Sequence, residues 1–258
     1  MEPAIKFPLA DIALLLAAHG ERREGADNLG VWRIAQALST LGFCAEIGVG
    51  FISGEPGINA ALRQLRARRV AVYPLFMSSG YFSRDRLVQL LDEADDDRQR
   101  EIISLPPLGL DPGLPAFVTQ CVLCVAERSG FCARQSAVIL LAHGSRRRSQ
   151  SRAATERIAK EVERSSLFAG VFSAFLEERP HLDEVAKQVS GPVVVVGLFS
   201  GEGLHGARDA PKLVAELARD DVVFGGVLGC APGIEQLIAG AVTNACSARI
   251  SAIPDRPL

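Results

Sequence analysis

A strand-like run ending in His-Gly occurs twice in this chain, and the repetition constrains the fold more than any other feature. Residues 11–20 read Asp-Ile-Ala-Leu-Leu-Leu-Ala-Ala-His-Gly, and residues 137–144 read Ala-Val-Ile-Leu-Leu-Ala-His-Gly. An offset of 124 residues separates His19 from His143, and the same offset relates Phe51 to Phe175, Pro56 to Pro180 and Arg84-Asp85 to Arg208-Asp209. Leu75-Phe76 matches Leu198-Phe199 at an offset of 123, and Gly109-x-x-Pro112-Gly113 returns as Gly229-x-x-Pro232-Gly233 at 120. Landmarks kept in one order over such a span indicate a duplicated domain, and the period is too long for a solenoid.

A chain of 258 residues with 48% hydrophobic content suffices for two cores of ordinary domain size. We therefore expect two domains, 1–130 and 131–258, joined through residues 129–136. The net charge of −2 provides no basic face for nucleic acid. No apolar run reaches the roughly 20 residues of a membrane span, and Glu2, Lys6 and Asp11 interrupt the N-terminal segment, so a cytoplasmic protein is expected. Of six cysteines only Cys121-x-x-Cys124 has motif spacing. It lies in the apolar run 117–126, where residues three apart share a helix face, and packing explains it better than redox or metal chemistry.

Short runs of Val, Ile, Leu and Ala alternate with longer segments of helical period, the pattern of a parallel sheet covered on both faces. The fold class expected is α/β, two similar doubly wound parallel-sheet domains. Strands are predicted near 11–18, 43–50, 69–76, 101–105, 137–142, 169–176, 192–199 and 222–228. Helices are predicted near 26–40, 57–68, 84–95, 113–128, 150–165, 181–189, 207–219 and 233–248. Pro56, Pro112, Pro180, Pro211 and Pro232 fall at or near helix starts, where a missing N–H costs little. The acidic cluster Asp92, Glu93, Asp95, Asp96 and Asp97 reads as a solvated helix end.

Open parallel sheets bind ligands beyond the carboxyl ends of their strands. That rule selects His143 after the first strand of the second half, Glu177 after the second, and His205 in the loop after the third. Two imidazoles and a carboxylate suit an intermediate divalent ion, and neutral histidine also accepts protons near pH 7. Glu178 and Glu202 are alternative carboxylates. In the first half only His19 survives: Ser53 aligns with Glu177, and Tyr81 or Phe82 with His205. His19 is expected to line the ligand site or to hydrogen-bond locally, and His181, just after Pro180 at a helix start, to be a surface or capping residue. Arginines follow both strand-end histidines, Arg22 and Arg23 in one half and Arg146, Arg147, Arg148 and Arg152 in the other. Their planar forks suit an anionic, carboxylate-bearing ligand, although solvated helix-start arginines would look the same. Ser145 lacks the Gly-x-Ser-x-Gly elbow of a hydrolase.

The paired Leu-Leu-Ala-His-Gly, residues 174–177 followed by Pro180, and Leu198-Phe199 leading to Gly203-Leu204-His205 and Asp209-Ala210-Pro211 together resemble the class II tetrapyrrole chelatases, specifically the sirohydrochlorin cobaltochelatases of CbiX type. The resemblance implies a bilobal α/β fold with a tetrapyrrole held between lobes, and ATP-independent insertion of Co²⁺, or of Fe²⁺ in siroheme-forming relatives. It implies His143, His205 and Glu177 as metal-site and catalytic residues. Arg22, Arg146, Arg147 and His19 are expected to bind the anionic tetrapyrrole. The metal ion is a substrate, and no organic cofactor, nucleic acid or membrane partner is expected; the chain would act as a monomer or homodimer. The competing readings are a binding protein that does not metalate its tetrapyrrole and a chelatase for another ring.

Overall fold

The computed structural model describes residues 9–20, 28–95, 98–145, 150–201 and 205–251. Strands β1 (Leu9–Ala18), β2 (Cys44–Phe51), β3 (Arg69–Pro74) and β4 (Glu101–Ser104) form an all-parallel sheet in the order β2-β1-β3-β4. Strands β5 (Ala137–Ala142), β6 (Gly170–Phe175), β7 (Val193–Gly197) and β8 (Val222–Val227) repeat it as β6-β5-β7-β8. The helices are α1 (Leu29–Leu41), α2 (Ile58–Gln64), α3 (Leu87–Ala94), α4 (Leu114–Arg128), α5 (Gln150–Glu163), α6 (Leu182–Ala186), α7 (Ala210–Glu216) and α8 (Ile234–Ser251). The doubly wound α/β class read from the alternation is the class found.

Burial on both faces explains why the central strands are continuous apolar runs rather than alternating ones. Every residue of β5 is buried. Ile139 and Leu141 join Leu182 and Val185 of α6, Ala210 of α7 and Val195 of β7 in one core cluster. Successive side chains alternate across a sheet, so Val138 and Leu140 turn to the opposite face, the side taken by α5. Helix α5 buries Ala154, Ile158 and Val162, one face at helical spacing. The first sheet follows the same plan, with Ala13, Leu15 and Ala17 packed against Ile58, Leu62, Leu87 and Leu91 of α2 and α3.

Two compact units result, and each takes one helix from the other half of the sequence. One contains β1–β4, α1–α3 and, from residue 235 on, α8; the other contains residues 76–80 and α4 with β5–β8 and α5–α7. The crossovers of each half cover one sheet face with two helices and the other with a single one, and a half-covered face is completed by a further helix. Helix α4 lies beside α5 and against β7 and β8. In the other unit Cys246 of α8 is buried within electrostatic reach of Arg69, Glu101 and Asp11 at the strand starts. The halves 1–130 and 131–258 and the compact units are thus different divisions of the chain.

Two local differences have physical causes. The helix expected over 57–68 ends at Gln64, because the Glu46 carboxylate draws off the amides of Arg66 (3.1 Å) and Ala67 (2.9 Å). Asp95, expected in solvent, is buried and accepts from the Arg100 amide at 3.1 Å, closing the turn after α3; Asp96 and Asp97 lie outside the described residues.

Candidate functional site

In the order β6-β5-β7-β8 the chain leaves β5 toward one side and β7 toward the other, so the switch point lies between β5 and β7. His143 is the first residue beyond β5 and is exposed. Gly144 follows in the left-handed region at φ +74°, where a Cβ would lie 2.9 Å from both Phe175 Cβ and Glu178 Cγ. The ladder continues past the strand ends: the Leu176 amide donates to Ala142 at 3.0 Å and the Glu177 amide to His143 at 2.9 Å. His143 and Glu177 therefore stand on neighbouring strand ends, and both are exposed on this rim. Nδ1 of His143 faces the Gly144 carbonyl at 3.1 Å. In the tautomer that donates from Nδ1, the ring's lone pair resides on Nε2, the form in which imidazole binds metals.

Beyond β7 the backbone enters a five-residue π-helical turn, His205–Asp209, which runs into α7. The His205 side chain lies outside the described residues, as do Arg22, Arg23, Arg146, Arg147, Arg148 and Glu202. Among the described residues no three His, Cys, Asp or Glu side chains form a group able to hold a metal ion.

Glu178, the alternative to Glu177, has a different task. Its Oε1 accepts the Ser145 amide at 3.0 Å, and its Oε2 accepts Arg152 Nη2 at 2.8 Å and Nε at 3.1 Å. Burial pushes the Glu178 carboxyl up, but the Ser145 amide and the Arg152 guanidinium outweigh it and hold the group below its ordinary value. Arg152 also donates to the Arg179 carbonyl and lies 4.6 Å over the Phe175 ring. This arginine, grouped by sequence with ligand-binding candidates, is engaged by the protein itself.

The first half shows what replaced the second histidine. A matching π-helical turn, Phe82–Arg86, leads into α3. The described π-helical residues pair Phe82 with His205 at an offset of 123, whereas Arg84-Asp85 and Arg208-Asp209 within the same turns pair Tyr81 with it at 124. The Phe82 ring lies 4.6 Å from the His19 ring at 53°, and Tyr81 lies 5.4 Å from Phe82. His19 keeps the strand-end geometry of His143, accepting the Ser53 amide at 2.7 Å.

The CbiX family model matches residues 13–123 and, a second time, residues 137–245. The chain belongs to the CbiX family. A probable sirohydrochlorin cobaltochelatase of Halobacterium salinarum is 25% identical over 221 residues, 78% of this chain and 75% of that protein. Among solved structures, the CbiX described as the terminal enzyme for biosynthesis of siroheme in denitrifying bacteria aligns with TM-score 0.74 at 26% identity, over 90% of this chain and 99% of that one. SirB from Bacillus subtilis with Fe³⁺ shares the fold, with TM-score 0.77 at 16% identity over 93% and 98% of the two chains.

The remaining polar candidates of this CbiX-family chain are structural. The His181 amide donates to Glu184 at 2.9 Å and its Nδ1 faces the Phe175 carbonyl at 3.1 Å, the capping role expected at the start of α6. In the Cys-x-x-Cys of α4, burial pushes the Cys121 thiol up to about 11, which opposes use as a thiolate nucleophile or ligand. The pairing of Arg152 with Glu178 escaped the sequence reading. A signal existed: at the offset of 124 these residues face Asn28 and Gly54, so both members change together between the halves.

Proposed function

We propose that this chain inserts a divalent metal ion into sirohydrochlorin or a related carboxylate-bearing tetrapyrrole, with Co²⁺ the first candidate and Fe²⁺ the next, without ATP or an organic cofactor. The observation that carries the reading is the juxtaposition of His143 and Glu177 on the hydrogen-bonded ends of β5 and β6, on the rim that also holds the switch point between β5 and β7, with His205 in the π-helical turn after the third strand, in a CbiX-family chain. The naming of the Halobacterium relative favours cobalt, and the siroheme context of the solved CbiX keeps iron in view.

The chemistry asks for few parts. A free macrocycle carries two inner N–H protons that leave as the metal enters, while the aquated ion sheds water and must not be lost. His143 and His205, with Glu177, hold the incoming ion or accept the two pyrrole protons, which pass on to solvent water as the metal enters. Arg22, Arg146 and Arg147 grip the peripheral carboxylates with bidentate forks and so fix which face of the ring is presented. His19, its ring tilted against Phe82, contributes to ring binding rather than to metal ligation. No described helix is long and apolar enough to cross a membrane, and we read the chain as acting in the cytoplasm.

Incubating the protein anaerobically with sirohydrochlorin and Co²⁺, Fe²⁺ or Ni²⁺, and following the macrocycle absorbance, tests the reading. Metal insertion over many equivalents per protein is the expected result. A spectral change that stops at one equivalent would make the chain a binding protein instead.

A further inference from the structure

We propose that Glu178, clamped by Arg152, is a positioning residue that fixes the His143–Gly144–Ser145 strand end so that His143 meets the ion in one orientation. The proposal rests on the function proposed above only in assigning His143 to the ion. One Glu178 carboxylate gathers three donors, the Ser145 amide and two guanidinium nitrogens of Arg152, with its side chain only 17% exposed. Its Cγ and Oε1 also come within 2.9 and 3.0 Å of where a Gly144 Cβ would be, so the carboxylate bridges the segment immediately after His143 to helix α5. Arg152 is held in turn: the Phe175 ring lies beneath it, the Arg179 carbonyl accepts from it, and Glu156 pairs with it at 3.4 Å. Exposed ion pairs contribute little because both side chains remain solvated and mobile. This one is sheltered, with two guanidinium nitrogens converging on one carboxylate oxygen and a backbone amide tied to the other, which gives it a geometric effect.

The duplicated half is an internal control. Gly20 adopts φ +76° against +74° at Gly144, and Ile52 and Ser53 donate to Ala18 and His19 as Leu176 and Glu177 donate to Ala142 and His143. At the offset of 124 the first half has Gly54 where the other half has Glu178 and Asn28 where it has Arg152, and the Trp32 ring lies 6.3 Å from the Phe51 ring. Among the described residues the first half keeps the strand-His-Gly geometry without an equivalent carboxylate clamp. The clamp accompanies the half that carries His143, Glu177 and His205.

The test measures Co²⁺ binding to the whole protein without tetrapyrrole, by calorimetry and by the d–d absorption of the bound ion, alongside steady-state insertion. Glu178→Ala is expected to weaken Co²⁺ binding by about 10–100-fold, the range found when a group orienting a metal ligand is lost. It should alter the d–d spectrum and lower kcat while leaving KM for sirohydrochlorin unchanged. Glu178→Gln, whose amide oxygen can still accept the Ser145 amide, should recover part of the loss. If Glu178→Ala fails to fold, Arg152→Lys carries the test, since it keeps the charge and loses the fork; an intermediate loss of affinity is expected. Wild-type affinity and spectrum in a folded Glu178→Ala or in Arg152→Lys would overturn the proposal. A wild-type protein that binds Co²⁺ but inserts no metal would overturn the function and leave the clamp to be judged by the binding data.

Discussion

A methyl group at Gly229 would land 2.2 Å from the Ser200 carbonyl oxygen and 2.9 Å from its Cα, while the Gly229 amide already donates to Phe199 at 2.9 Å. Ser200 begins the segment that leads to His205, so this glycine sets the approach of a proposed ligand. Gly229→Ala should destabilise the protein by about 1–3 kcal/mol through overpacking against rigid backbone and should weaken Co²⁺ binding. Gly240→Ala, in α8 with nothing within 4 Å of the added carbon, should melt at or above the wild-type temperature. Equal behaviour of the two variants in thermal unfolding would contradict this. His143→Ala and His205→Ala should abolish metal insertion while circular dichroism stays native, and His19→Ala should retain it; lost activity in His19→Ala would move the chemistry to the first half. His143 was legible because the repeat displays its strand-end position twice. The division of labour between Glu177 and Glu178 was not, because adjacent carboxylates differ only in which side of the turn they leave, and Arg152, 26 residues earlier, decides that.

At the scale of elements, strands could be read closely because continuous apolar runs bounded by polar turns have few other uses. The π-helical turns at Phe82–Arg86 and His205–Asp209 had no comparable signal, since one extra residue in a turn leaves the helical period almost unchanged. Also hidden was the staple at the end of α7. Arg219 donates to the carbonyls of Ala186 (2.7 Å), Val189 (2.9 Å) and Gly191 (2.9 Å) and to both oxygens of Asp221 at 2.9 Å. A cation thereby caps the C-terminus of α6, where the last carbonyls need donors. The hydrogen bond from Arg219 holds the Asp221 carboxyl below its ordinary range. A carboxyl whose pKa is lowered by folding stabilises the protein above its unfolded value, about 3.9 for aspartate, and the contribution is lost as pH falls through the lower folded value. Asp221→Asn should therefore melt below wild type at neutral pH, and the gap should close as pH falls below the ordinary aspartate range. Melting curves of both proteins across pH would refute this if the gap stayed constant into the acid range.

For the molecule as a whole, the exchange of α4 and α8 is the feature that a linear reading of the repeat misses. The two helices carry the same apolar pattern, Leu114, Val118 and Val122 in one and Ile234, Ile238 and Val242 in the other, all buried. Either pattern suits either sheet, so sequence alone does not say which helix covers which. Ending the chain after Ile234 would uncover the first sheet by removing Cys246 together with Ile238 and Val242, the last two each worth about 1.5–3 kcal/mol when fully buried. Hydrogen exchange should then show lost protection in β1–β3 with β5–β7 still slow; unchanged protection in β1–β3 would contradict the assignment of α8 to that unit. The exchange also has a kinetic meaning. Two separate half-length chains could complete both units as they stand here only by trading helices between molecules, a step second order in protein. Joining the halves through residues 129–136 makes each trade a first-order event at a local concentration that dilution cannot lower. The duplication, once fused, would free assembly of the fold from the abundance of its gene product.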